Sequence, residues 1–130
     1  MNDEIFLHSQ LDSDYIIRLH AFCWKPFCLI LEYSPGKELY DFLQNYDTYI
    51  DSILKIKILD NIACALDYLH SYDPPIAHLD FKTPNITLIS DNSDNDICAK
   101  LLDFGTARFC VSSVRQRLVD NPTWLAPGLY

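Results

Sequence analysis

The chain has 130 residues and a formal net charge of −8, about the length of one ordinary domain, and its acidic balance argues against nucleic acid as a partner. Hydrophobic residues make up 49%, enough for a core, yet no run approaches the ~20 uninterrupted apolar residues of a membrane span and no basic-then-apolar signal pattern stands at the start. Cys23, Cys28, Cys64, Cys98 and Cys110 include no C-x-x-C pair and read as thiols of a reducing compartment rather than disulfides or zinc ligands, so a soluble cytoplasmic protein is expected.

In chain order, two apolar runs come first, residues 15–22 and 27–33, separated by Cys23-Trp24-Lys25-Pro26. They predict two antiparallel strands with Trp-Lys-Pro at the turn. Ser34-Pro35-Gly36 breaks the pattern, and Leu39, Tyr40, Phe42 and Leu43 then fall at the spacing of a short helix. The strongest periodicity runs over residues 52–72, where Ile53, Ile56, Leu59, Ile62, Ala63, Leu66 and Leu69 recur every three or four positions. That is the stripe of a long helix with one buried face. Asp51 or Ser52 suits its N-cap and Pro74-Pro75 its end. Ile76-Ala77 reads as a short strand, and residues 86–89 with 98–102 as a second hairpin. The connector, residues 90–96, is all Ser, Asp and Asn. It lacks the sixth-position Gly and the twelfth-position Glu of a calcium loop, Leu102 standing at the latter, so it reads as a solvated turn. These elements predict an α+β fold with no internal repeat and no linker.

The chemistry concentrates in His78-Leu79-Asp80-Phe81-Lys82-Thr83-Pro84-Asn85 and in Asp103-Phe104-Gly105, which begins 23 residues after Asp80. Singly, an Asp or Asn in a loop more often makes a turn. Together the order suits phosphoryl transfer. One carboxylate orients a hydroxyl, an ammonium neutralises phosphoryl charge, and an amide with a second carboxylate holds Mg²⁺. The string resembles the catalytic loop and metal-binding motif of eukaryotic protein kinases. Lys82-Thr83-Pro84-Asn85 and Asn121-Pro122-Thr123-Trp124-Leu125-Ala126-Pro127 look most like the tyrosine-kinase-like group of that family.

The resemblance covers nearly the whole chain and implies a partial kinase fold: the end of the C-helix, two small-lobe strands, the hinge, and the upper half of the helical large lobe. It implies ATP and Mg²⁺ as cofactors and a protein serine or threonine hydroxyl as acceptor. Asp80 takes the position of the catalytic base, Lys82 that of the phosphate-contacting lysine, and Asn85 and Asp103 those of the Mg²⁺ ligands. Leu31 would guard the back of the adenine pocket, main-chain groups of Glu32 and Ser34 would meet the adenine edge, and Thr87 would lie beneath the base beside Asn85. Glu4 matches the helix glutamate, whose strand lysine and Gly-rich loop would lie upstream of Met1, and the large-lobe helices would lie beyond Tyr130. Helix 52–72 and the segment after Phe109 would then present an apolar patch that further parts of the fold normally cover.

Departures from the family pattern are equally specific. Leu79 replaces the arginine that grips a phosphorylated loop, which removes the usual charge partner for such a switch. Thr87 replaces an apolar residue, Asn121 a threonine, and Gly128 a glutamate of a buried ion pair. A catalytically inactive kinase-like binding module is therefore the alternative to an active kinase. Small-molecule phosphotransferases share His-x-Asp and the downstream Asn, but Asp-Phe-Gly followed by Ala-Pro favours the protein kinases.

Overall fold

A computed structural model describes residues 2–45, 51–91, 96–111 and 122–124. Asn121, Ala126, Pro127, Gly128 and the middle of the acidic connector lie outside the described residues, as does the side chain of Glu4. The elements run α1 (Asn2–Ser9), β1 (Leu19–Trp24), β2 (Phe27–Leu31), β3 (Lys37–Glu38), α2 (Leu39–Gln44), α3 (Ser52–His70), β4 (Ile76–Ala77), β5 (Ile86–Asp91), β6 (Asp96–Leu101) and β7 (Arg108–Phe109). The fold is α+β, as the periodicities predict.

Strands β1 and β2 pair antiparallel with Trp24 opposite Phe27, so the turn consists of Lys25 and Pro26 alone. The first strand starts at Leu19 rather than at Tyr15. Ile16 and Ile17 are both buried, at 1% and 2% exposure, and consecutive buried residues do not suit the two-faced alternation of a hairpin. They dock on β6 instead, where Leu101 N–H donates to Tyr15 O at 2.8 Å and accepts at its own carbonyl from Ile17 N–H at 3.0 Å.

Helix α3 begins as its sequence dictates, with the Asp51 carboxylate accepting from Leu54 N–H at 2.7 Å. Its buried face, however, is not the predicted one. Ile58, Asn61, Ala65 and Leu69 face the core, while Ile53, Ile56 and Leu59 are 79%, 67% and 64% exposed. The helix carries two apolar stripes, and the sequence reading merged them, taking Ile62 and Leu69 from one and Ile53, Ile56 and Leu59 from the other. The buried stripe contains an asparagine. Asn61 Oδ1 accepts from Ala99 N–H at 2.9 Å, satisfying a donor on the edge of β6 opposite β5, which no strand among the described residues pairs.

The β5–β6 hairpin is the platform of the molecule, with β3 added to its other side in the order β3-β5-β6. Gly36 is required immediately before β3, because a Cβ there would stand 1.6 Å from Leu88 O. The core gathers Leu7, Ile16, Leu69, Ile76, Leu88 and Phe104 among others. The connection between α1 and β1 is fastened by two phenols, Tyr68 of α3 and Tyr72 just beyond its end. Asp12 N–H donates to the Tyr68 hydroxyl at 2.8 Å, and the Tyr72 hydroxyl donates to Gln10 O at 2.6 Å. The bond to Tyr68, followed by burial, pushes the Tyr72 phenol up to about 12. It therefore stays a protonated donor at any physiological pH.

The two stripes of α3 predict unequal substitutions. Ile56→Gln should change the unfolding free energy by less than about 0.5 kcal/mol, whereas Leu69→Ala, at a fully buried position, should cost about 3 kcal/mol. Urea titrations followed by far-UV circular dichroism measure both. Equal losses would restore the single-stripe reading.

Candidate active site

His78 organises the site. Its ring is 4% exposed, and Nε2 lies 2.9 Å from Leu102 O while Nδ1 lies 3.4 Å from Asp80 N. A carbonyl only accepts and an amide N–H only donates, so the imidazole is neutral with its proton on Nε2. Burial lowers its pKa, against the opposing pull of the Leu102 carbonyl and of the Asp103 and Asp80 charges. The ring packs edge-on with Phe104, centroid to centroid 5.1 Å, and Phe104 also meets His8 of α1 at 4.7 Å. The His8 ring is itself anchored to Ile17 O at 2.7 Å. Phe104 thus contacts two imidazoles from distant parts of the chain.

Two loops meet across this centre. Leu102 N–H donates to Asn85 O at 2.8 Å, and the Thr106 hydroxyl donates to His78 O at 2.9 Å. Each loop holds one residue in the left-handed region, Leu79 at φ 67° and Asp103 at φ 59°. Such conformations cost about 1–3 kcal/mol each in a residue other than glycine, less for Asp than for Leu. The buried bonds on either side keep them in place.

Asp80, Lys82 and Asn85 form one cluster. Asp80 Oδ2 receives Lys82 Nζ at 2.6 Å and Asn85 Nδ2 at 2.9 Å, and the same Nδ2 donates to Asp80 O at 2.9 Å. The short 3₁₀ turn Thr83–Asn85 makes this possible by folding the chain back between Lys82 and Asn85. With Nδ2 committed to Asp80, the Asn85 side chain turns its Oδ1 the other way. Asp103 presents a carboxylate that accepts from Gly105 N–H at 3.1 Å. An amide oxygen and a carboxylate are hard donors of the kind Mg²⁺ takes when phosphate oxygens and waters complete its shell. The residues fit that ion. Among the described residues no cluster of three His, Cys, Asp or Glu side chains forms a metal cage.

The second group of sequence-predicted residues lies along the chain between β2 and β3 and on β5. Leu31 ends β2, opposite Leu19, and is 41% exposed. Glu32 is drawn to Lys100 of β6, Oε1 to Nζ 2.5 Å, and also accepts from Arg18 N–H at 3.2 Å. The Ser34 and Thr87 hydroxyls lie 2.7 Å apart, and Thr87 is 4% exposed. Thr87 follows Asn85 by two positions, which ties this group to the first along β5. The sequence reading missed His8, Thr106 and Lys100. Of these only His8 had a usable signal, lying one helical turn beyond Glu4 on α1.

The model of the protein kinase domain matches residues 1–129. The chain belongs to the protein kinase family. It is 36% identical over 126 residues to the probable serine/threonine-protein kinase pats1 of Dictyostelium discoideum, covering 97% of this chain and 4% of that protein. It is 40% identical over 124 residues to the probable serine/threonine-protein kinase roco9 of the same organism, covering 95% and 4%. Among solved structures the kinase domain of Rad53 superposes with a TM-score of 0.71 at 25% identity, covering 82% of this chain and 38% of that one. The chain therefore spans a small fraction of the length of the curated relatives it matches.

The state of His78 has a pH consequence. The unfolded imidazole takes its proton near its ordinary 6.5, and the folded one only at lower pH. Between these values the unfolded state binds more protons, so stability is full above pH 6.5 and falls as pH drops below it. His78→Gln keeps an N–H for Leu102 O without titrating. The parent's urea midpoint should fall more steeply than the variant's from pH 6.5 to 5. Parallel profiles would remove His78 as the source.

Proposed function

We propose that this chain forms part of the ATP site and catalytic loop of a protein kinase of the tyrosine-kinase-like group, one that phosphorylates serine and threonine hydroxyls of proteins. The observation that carries the reading is the Asp80 cluster, in which a single carboxylate oxygen gathers Lys82 and Asn85 beside the loop bearing Asp103. Similarity to probable serine/threonine-protein kinases supports the acceptor class. Lys82 followed by Thr83-Pro84-Asn85 supports the group.

In this reading Asp80 orients the acceptor hydroxyl and takes its proton, since its carboxylate is the group of the cluster that can accept one. Lys82 has its charge matched by Asp80 until a phosphoryl group competes for the ammonium. Asn85 and Asp103 would hold Mg²⁺, which with ATP supplies the transferable phosphoryl and neutralises its charge. Main-chain groups of Glu32 and Ser34 would meet the adenine edge, with Leu31 behind the base and Thr87 beneath it.

Two substitutions separate these roles. Asp80→Asn should lower turnover by about 10² to 10⁴-fold, the worth of general-base catalysis, while leaving Mg²⁺-ATP affinity largely unchanged. Asp103→Asn should weaken affinity and turnover together, because it removes a negative metal ligand. Steady-state ADP release with a serine- and threonine-bearing protein substrate, beside direct nucleotide titration, gives both numbers. Retention of most activity in Asp80→Asn would refute its assignment. A parent that binds Mg²⁺-ATP yet releases no ADP would mark a non-catalytic binding module.

A further inference from the structure

Two hinge side chains, Glu32 and Ser34, are both held by the β5–β6 hairpin. Lys100 Nζ meets Glu32 Oε1 at 2.5 Å, and Thr87 Oγ1 meets Ser34 Oγ at 2.7 Å. Thr87 and Lys100 are direct partners in the β5–β6 ladder, so one cross-strand pair grips positions i and i+2 of the hinge. In an extended segment such residues point to one side and the residue between them to the other. Tyr33, between them, is 84% exposed. Glu32 is anchored through its backbone as well, its N–H donating to Arg18 O at 2.8 Å.

The grip on Glu32 is electrostatic as well as geometric. Burial works to raise its pKa, but the Lys100 hydrogen bond and the Arg18 amide outweigh it, and the carboxyl is held below its ordinary value. The Lys100 and Glu32 side chains are only 16% and 29% exposed, so water screens the pair weakly. On the neighbouring strand Thr87 is buried with its hydroxyl on Ser34.

We propose that two contacts, Lys100 with Glu32 and Thr87 with Ser34, position the chain for nucleobase recognition by fixing the Glu32 carbonyl and Ser34 amide in the orientation that accepts adenine and rejects guanine. This rests on the reading of residues 32–34 as the nucleotide edge. Adenine offers an amino donor beside a ring-nitrogen acceptor, and guanine offers a carbonyl acceptor beside an N–H donor. A fixed carbonyl and a fixed amide N–H pair with the first pattern and oppose the second, leaving buried polar groups unpaired. A loosened hinge peptide can rotate and loses that distinction.

The test is titration of the full chain with ribose-labelled fluorescent ATP and GTP in the presence of Mg²⁺, for the parent and for Lys100→Met, Lys100→Arg and Ser34→Ala, which breaks the bond to Thr87 and leaves the residue beneath the base in place. Lys100→Met and Ser34→Ala should each weaken ATP binding about tenfold, the worth of about one hydrogen bond, with GTP binding little changed, so the ATP preference collapses. Lys100→Arg, which keeps a cation for Glu32, should hold the parent's preference. Far-UV circular dichroism identifies any variant that fails to fold, and Ser34→Ala then carries the test. A clamp that only stabilises the fold would weaken both nucleotides together. An unchanged ATP-to-GTP ratio in both disruptive variants overturns the proposal and leaves the nucleotide site standing. A parent that binds neither nucleotide overturns the nucleotide reading and the proposal with it.

Discussion

The neutral imidazole of His78 joins the two loops on which the site depends. Through Nε2 it holds the carbonyl just before Asp103, and through Nδ1 it meets the amide of Asp80. A single planar ring therefore sets the separation of two segments far apart in sequence. The ring can do this in one protonation state only, because a protonated Nδ1 would confront the Asp80 N–H with a second donor. Burial supplies that state by disfavouring the charged form. The Phe104 ring fills the space beside it and passes the packing on to His8, so α1 is coupled to the loops by shape rather than by charge.

Charge does its work at the periphery of this centre. Lys82 and Lys100 each sit against a carboxylate, Asp80 in one case and Glu32 in the other, in partly buried surroundings. In a chain with 18 acidic and 10 basic residues among its Asp, Glu, Lys and Arg side chains, these pairings commit two of the few cations to partly buried carboxylates. One pairing shapes the catalytic loop. The other fastens the hinge to the hairpin that also carries Asn85 at its base.

How much of this was legible follows from the range of the interactions involved. The proximity of Asp80, Lys82 and Asn85 was readable because they lie within six positions of one another, and a short turn fixes their geometry locally. The hairpins were readable because turn residues mark them. The buried face of α3 was misread because both faces carry apolar residues, and a period of three or four cannot say which of two stripes meets the core; Asn61, a polar residue, turned out to belong to the buried one. Tyr15 was assigned to β1 because an apolar run does not reveal that its residues pair with Leu101 instead. The contacts of Ser34 with Thr87 and Glu32 with Lys100 bridge 53 and 68 positions. No local pattern encodes contacts of that range, and they emerge only once the hairpin has been placed under the hinge.

The phenolic fastening of residues 10–12 to Tyr68 and Tyr72 makes that connection a fulcrum for α1. Movement of the helix relative to the large-lobe platform becomes rotation about Gln10 and Asp12, since the Tyr68 and Tyr72 hydroxyls resist translation there. His8 stands close to the pivot, about 5 Å along the chain for three residues at the helical rise of 1.5 Å. A swing of about 10° would move it by less than about 1 Å while carrying Asn2 roughly twice as far or more. The lever is short at the end that touches Phe104 and long at the end away from it. Large excursions of the far end are thereby geared down to small displacements at the aromatic stack.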